Sequence, residues 1–283
     1  MNRALHDWLS ARDGIARRDE VLRAGFAIGA LRTLVRAGEA RMIRRAWVAL
    51  SGARADLVTA AEAGGRVSCV SLARARGWWM PHDVDQHLHL HVLPGSASAY
   101  LPEGWPGVLH WTKPIVPSER RLTATVEDAL AQIAVCLPFD TALVLWESAA
   151  RTEALAGEAL RGVRWTSRRA RELAEAVTGL SDSGLETLVA TPLRRWGVRV
   201  RQQVVLAGRP VDLLVGDRLV LQIDGYEHHS SSAQRAKDIA HDAELRLRGY
   251  TVLRVSYGQV VHDWPAVERR IRRALAAGLH LAG

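Results

Sequence analysis

The sequence predicts a mixed α/β protein with more than one domain, and three observations carry that expectation. Apolar residues near the front recur at helical spacing and then give way to a short basic hairpin. The stretch after Ser181 alternates between strand and helix patterns in the order α-β-β-β-α-β-α. Between them lies a segment of mixed helical and strand patterns broken by prolines. The 283 residues leave room for two or three domains at about 150 residues each. The pattern divides at 1–52, 53–178 and 179–283.

Apolar residues make up 48% of the chain and charged residues 24%, enough to bury cores and to exclude a disordered or fibrous protein. No window approaches the roughly 18 apolar residues of a membrane span, and the N-terminus lacks the apolar core of an export signal. A cytoplasmic protein without membrane partners is expected. Two cysteines, Cys69 and Cys136, cannot build a disulfide framework or a four-thiolate zinc site. Lys+Arg total 38 against 30 Asp+Glu, for a net charge of +8. Only Lys113 and Lys237 are lysines, so the positive charge is nearly all guanidinium. Guanidinium forks match phosphate oxygens and guanine edges, which favours DNA as partner; an arginine-rich solvated surface is the alternative.

At the front, Ala16 to Ala24 reads as a helix, Gly25 as a turn, and Ile28 to Ala37 as a second helix with Ile28, Leu31, Leu34 and Val35 on one face. Gly38 stops it, and Ala40 to Leu50 reads as a hairpin. Helix, turn, helix and basic β-wing make a winged-helix arrangement, with Arg32 and Arg36 on the second helix and Arg41, Arg44 and Arg45 on the wing as candidate phosphate contacts.

In the middle, Ala55 to Ala63, Ser71 to Arg76, Thr123 to Cys136, Thr141 to Ala150 and Ser167 to Val177 are helical patterns. His87 to Leu93 alternates and reads as a strand. His87, His89 and His91 then share one face. That geometry can bind a metal, but the simpler expectation is a polar face opposite Leu88, Leu90 and Val92.

In the last segment, Ser181-Asp182-Ser183 caps a helix running to Trp196. Strands follow at Val198 to Leu206, Val211 to Val215 and Arg218 to Asp224, turned by Gly208-Arg209-Pro210 and Gly216-Asp217. A helix over Ala233 to Arg248, a strand over Tyr250 to Val255 and a helix from Pro265 to Ala277 complete it. Asp242 and Arg246 sit four apart and read as an intrahelical ion pair.

Chemistry concentrates there. Asp212 lies on the middle strand, Asp224 ends the next one, Glu186 is on the preceding helix, and His228 and His229 follow the strand end. Carboxylates at strand ends suit a hard divalent cation such as Mg²⁺ or Mn²⁺. A nearby imidazole can move a proton at neutral pH.

Four blocks in order carry a resemblance over residues 181–277: Pro210-Val211-Asp212, Leu219 through His229, Arg235-Ala236-Lys237-Asp238, and Leu247 through Val255. They resemble the branch of the PD-(D/E)XK nuclease superfamily that includes the very-short-patch mismatch-repair endonuclease. The resemblance implies a restriction-endonuclease-like fold and metal-dependent phosphodiester hydrolysis. It implies Asp212 as the principal metal ligand, Glu186 reaching the ion through water, the Ile223 backbone carbonyl as a further ligand, and His229, or else His228, as the catalytic histidine. Two positions depart from the pattern. Gln222 stands where the relatives carry Glu, and Asp224 occupies the superfamily's lysine position. Gln222 can offer only a neutral carbonyl, and Asp224 is the candidate replacement carboxylate. Arg235 and Lys237 are candidate DNA contacts.

More locally, Gly14 to Arg18, Leu31 to Gly38 and Ile43 to Leu50 resemble the winged helix of AbiEi-type antitoxins, which repress their own operons. The expected function is therefore a Mg²⁺- or Mn²⁺-dependent DNA endonuclease or nickase. A homodimer would be favoured if both strands are cut. The alternative is a catalytically inactive DNA-binding regulator.

Overall fold

The computed structural model describes residues 3–94, 101–117, 121–178, 184–224 and 232–282. The fold is mixed α/β, and the backbone gathers into two compact units. One holds residues 1–76, 85–136 and 164–167; the other holds 77–84, 137–163 and 168–283.

The first unit opens with α1 (Arg3–Ser10), β1 (Ile15–Arg17), α2 (Arg18–Arg23), α3 (Ile28–Arg36), β2 (Ala40–Ile43) and β3 (Trp47–Leu50). Ala16 and Arg17, expected to begin a helix, instead lie with Ile15 in a strand. Ile15 pairs with Ala49 and Arg17 with Trp47, closing an antiparallel β1-β3-β2 sheet. Three residues are too few to show strand periodicity, and the pairing is supplied from thirty residues away. Leu5, Leu9, Val21, Leu31, Leu34 and Val48 form the core between helices and sheet. In the β2–β3 turn Arg44 and Arg45 sit at φ +49° and +57°, a region that side-chain-bearing residues rarely adopt.

The same unit continues with α4 (Ala55–Ala63), β4 (Arg66–Val67), α5 (Cys69–Ala75), β5 (His89–Val92), β6 (Val108–Trp111) and α6 (Val126–Cys136). Strand β5 lies between antiparallel β4 and parallel β6. The expected polar histidine face is not there. All four residues of β5 are buried, while His87 precedes the strand, exposed, with its ring on Asp85. His91 bonds the Thr112 carbonyl, and His89 faces His110 on β6. β6, a strand that the sequence did not reveal, lies beside β5 and, with Thr112 just after it, supplies these partners.

The second unit begins with α7 (Phe139–Thr152), α8 (Gly157–Gly162) and α9 (Arg168–Ala176). Then come α10 (Gly184–Arg195), β7 (Val200–Leu206), β8 (Arg209–Val215), β9 (Leu219–Asp224), α11 (Ser232–Leu247), β10 (Thr251–Ser256), α12 (Tyr257–His262) and α13 (Trp264–Ala276). The helix cap expected at Ser181 to Ser183 lies outside the described residues. The sheet order is β10-β9-β8-β7, with β10 and β9 parallel and the other neighbours antiparallel. Leu213, Val215, Leu219, Leu221 and Val255 pack with α10, α12 and α13. Leu214, Val220 and Val252 pack with Leu245 of α11. The sheet is thus covered on both faces, which is why β8 and β9 read as nearly continuous apolar runs.

Candidate active site

The site is built where the β8–β9 ladder ends. Leu213 faces Leu221, Leu214 faces Val220 and Val215 faces Leu219. One step further, side chains replace ladder bonds. Asp212 Oδ2 accepts the Ile223 amide N–H at 2.6 Å, and the Asp212 amide makes a long 3.5 Å contact with Gln222 Oε1. The carboxylate therefore satisfies a backbone donor that strand pairing leaves over. Continuing the register places Gln222, which is buried, opposite Asp212.

On the other side of β8, Gln202 faces Leu213 and Val204 faces Val211, so Gln203 lies across from Asp212. Gln203 has φ +53°, and its amide donates to Glu186 Oε2 at 3.2 Å. Glu186 is buried on α10. It is thereby tied to the strand position facing Asp212.

Asp224 is engaged elsewhere. Its Oδ1 accepts from Arg254 Nη1 at 2.6 Å, and Arg254 Nε and Nη2 reach the two oxygens of Asp242 at 2.8 and 3.2 Å. Asp242, on α11, is 5% exposed. Its hydrogen bond is the main influence raising the Arg254 pKa above the usual guanidinium range, against burial, with Asp224 adding to it. The expected Asp242–Arg246 pair is present, at 4.0 Å, and a closer partner, Arg254, comes from β10. Parallel pairing puts Arg254 beside Gln222.

Among the described residues, Glu186, Asp212 and Asp224 are not gathered into one set of close ligand atoms. His228, His229 and the side chain of Arg235 lie outside the described residues. Lys237 is exposed, and its carbonyl accepts from Arg209 Nη1 at 3.1 Å. In the first unit Arg32, Arg36, Arg41, Arg44 and Arg45 are all exposed. Arg41 pairs with Glu62 at 2.5 Å, and Arg44 contacts the Glu62 carbonyl at 3.5 Å.

Sequence reasoning passed over Gln203 and Arg254. For Arg254 a signal existed, since an arginine alternating with Val252, Leu253 and Val255 in a strand needs an acidic partner once the sheet is covered. For Gln203 there was none, because its role follows from a backbone angle.

The last domain is nuclease-like: residues 185–275 match the REase_MTES_1575 family model, a restriction-endonuclease-like group. Over 76 residues the chain is 34% identical to an uncharacterized protein of Haemophilus influenzae, a match covering 26% of this chain. The chain spans 62% of that relative's length. A solved structure, the homing endonuclease I-Bth0305I catalytic domain, aligns over 33% of this chain and 94% of its own, with 22% identity and a TM-score of 0.30.

Proposed function

We propose that the protein is a metal-dependent DNA endonuclease or nickase, similar to the very-short-patch branch, with an AbiEi-like winged helix in front. The observation that carries this reading is Asp212 at the end of the β8–β9 ladder, inside the nuclease-like segment, with its carboxylate on the Ile223 amide. The candidate ligands, the Asp212, Asp224 and Glu186 carboxylates and the Ile223 carbonyl, are all oxygens, the chemistry that fits a hard cation. Asp212 and the Ile223 carbonyl would hold Mg²⁺ or Mn²⁺, Asp224 would join in exchange for its Arg254 contact, and Glu186 would reach it through water. Such an ion polarises a phosphoryl oxygen and lowers the pKa of a bound water.

The chain's own groups would do the rest. Gln222 would orient Asp212 through its amide, and His229, or His228, would move a proton to or from the scissile phosphate. Arg32, Arg36, Arg41, Arg44, Arg45, Arg235 and Lys237 would position the DNA backbone. A single site nicks one strand; cutting both favours two copies of the chain.

A panel of plasmid, mismatched and single-stranded DNA with Mg²⁺ or Mn²⁺ tests this. Metal-dependent cleavage abolished in Asp212→Ala is expected, and identical behaviour of the two proteins overturns it. The second reading, a regulator that binds DNA without cutting it, is favoured by Gln222 at a usually anionic position and by the Asp224–Arg254 pair. It predicts DNA binding with no cleavage under any metal.

A further inference from the structure

The first unit brings together four side chains that the nuclease reading does not use. Cys69 opens α5, His89 opens β5, His110 lies on β6 and Cys136 closes α6. One ligand atom from each lies within 4.8 Å of every other. His89 Nδ1 is 3.1 Å from His110 Nε2, and Cys136 Sγ is 3.9 Å from His89 Nδ1. A tetrahedral zinc ion with Zn–N near 2.05 Å and Zn–S near 2.3 Å separates its ligand atoms by roughly 3.3–3.8 Å. The His89–His110 and His89–Cys136 separations lie within a few tenths of an ångström of that range, and no pair is more than 4.8 Å apart.

We propose that Cys69, His89, His110 and Cys136 form a four-coordinate structural zinc site.

Protonation geometry supports the assignment. The second nitrogen of His89 lies 3.1 Å from Asp85 Oδ2. A carboxylate there takes the ring N–H, so the lone pair of Nδ1 is directed at the other three groups, the carboxylate–histidine–metal arrangement common around zinc. The backbone is clamped to match. The Ser68 amide donates to the His89 carbonyl at 3.0 Å, and the His89 amide donates to Ser71 Oγ at 2.9 Å. These bonds flank Cys69 and fix it against His89. Cys69 itself has φ +51°, a conformation that costs a non-glycine residue energy and calls for compensation at the site.

Cys69 and His89 are buried, while Cys136 is exposed. A metal ion therefore has a way in from solvent. Binding displaces the thiol protons to water and leaves no ligand position open, so the role is to fasten α5, β5, β6 and α6 together rather than to catalyse. Sequence spacing could not reveal this. Successive ligands lie 20, 21 and 26 positions apart, far from the short paired intervals by which zinc motifs are recognised.

The test uses full-length protein without a polyhistidine tag, expressed with added zinc and freed of loose metal on a sizing column. Elemental analysis should give about one zinc ion per chain. Cobalt replacement should give intense tetrahedral ligand-field bands and a thiolate charge-transfer band. Cys136→Ser and His110→Ala should each lose at least about tenfold in zinc affinity, and His6→Ala, on α1 and with its ring near Ser10, should keep the wild-type value. X-ray absorption on the wild-type zinc protein counts two sulfur and two nitrogen ligands without relying on any variant. The proposal is overturned by zinc-free wild type that takes up no cobalt, by a cobalt spectrum lacking the thiolate band, or by a Cys69–Cys136 disulfide in the protein as isolated. None of these outcomes bears on DNA cleavage, which is read with different residues and a different ion.

Discussion

Asp212 holds the Ile223 amide, and in the proposed reading it also holds the metal; substitution can separate the two. Asparagine keeps an oxygen to accept the Ile223 amide but removes the negative charge, whereas alanine removes both. We expect Asp212→Asn and Asp212→Ala to lose cleavage alike, by about 10²–10³-fold or more. Only the alanine variant should also lose stability, by about 1–3 kcal/mol, because it strands a backbone donor. Thermal melting beside the nicking assay checks this, and equal melting of the two variants refutes the structural half. Arg254 is the complementary case. Arg254→Met leaves the Asp242 carboxylate buried without its main partner and should cost about 2–3 kcal/mol, measured by urea unfolding. Restoring Asp242→Asn in the same chain should recover part of that loss. The aspartates and Glu186 stood out in the sequence as candidates because their residue types and order formed a pattern. Arg254 escaped because its importance comes from parallel pairing between β9 and β10, which no local window contains.

Elements with strong periodicity were read nearly to the residue. Helix α3 ends where Gly38 turns the chain, and α13 presents Val267, Ile271 and Ala274 as a buried stripe. Short elements were missed, β1 and β6 among them, since three or four residues held by a distant partner carry little pattern of their own. The β2–β3 turn shows what such local detail does. Holding Arg44 and Arg45 in the left-handed region costs energy that glycine would avoid. Arg45→Gly should raise stability by about 0.5–1 kcal/mol while weakening DNA binding, read by melting and by fluorescence anisotropy. Loss of stability would show that the arginine is held for packing. At a helix end, Asp263 accepts the Ala266 amide at 3.3 Å, so Asp263→Ala should cost about 1 kcal/mol in the same unfolding assay.

For the molecule as a whole, the +8 charge favours a polyanionic partner. If the five arginines of the first unit contact phosphates, the logarithm of the binding constant should fall with log salt at a slope of about −4 to −5. A slope near zero would mean that these charges only keep the surface solvated.

The second unit also includes a piece of chain made much earlier than the rest. Residues 77–84 belong to it, and the Trp79 ring packs so closely on Gly184 that a side-chain carbon there would meet it at 2.3 Å. The Trp79 amide also donates to Ser148 Oγ on α7, and α7 packs along α10. A ribosome therefore releases one wall of this unit about a hundred residues before the helix that rests on it, at about 5–20 residues per second. For those seconds the early tryptophans have no permanent place to go. The nuclease-like unit would thus stay unassembled until synthesis is nearly over, and a gene fragment encoding only the last third of the protein would lack part of its own foundation.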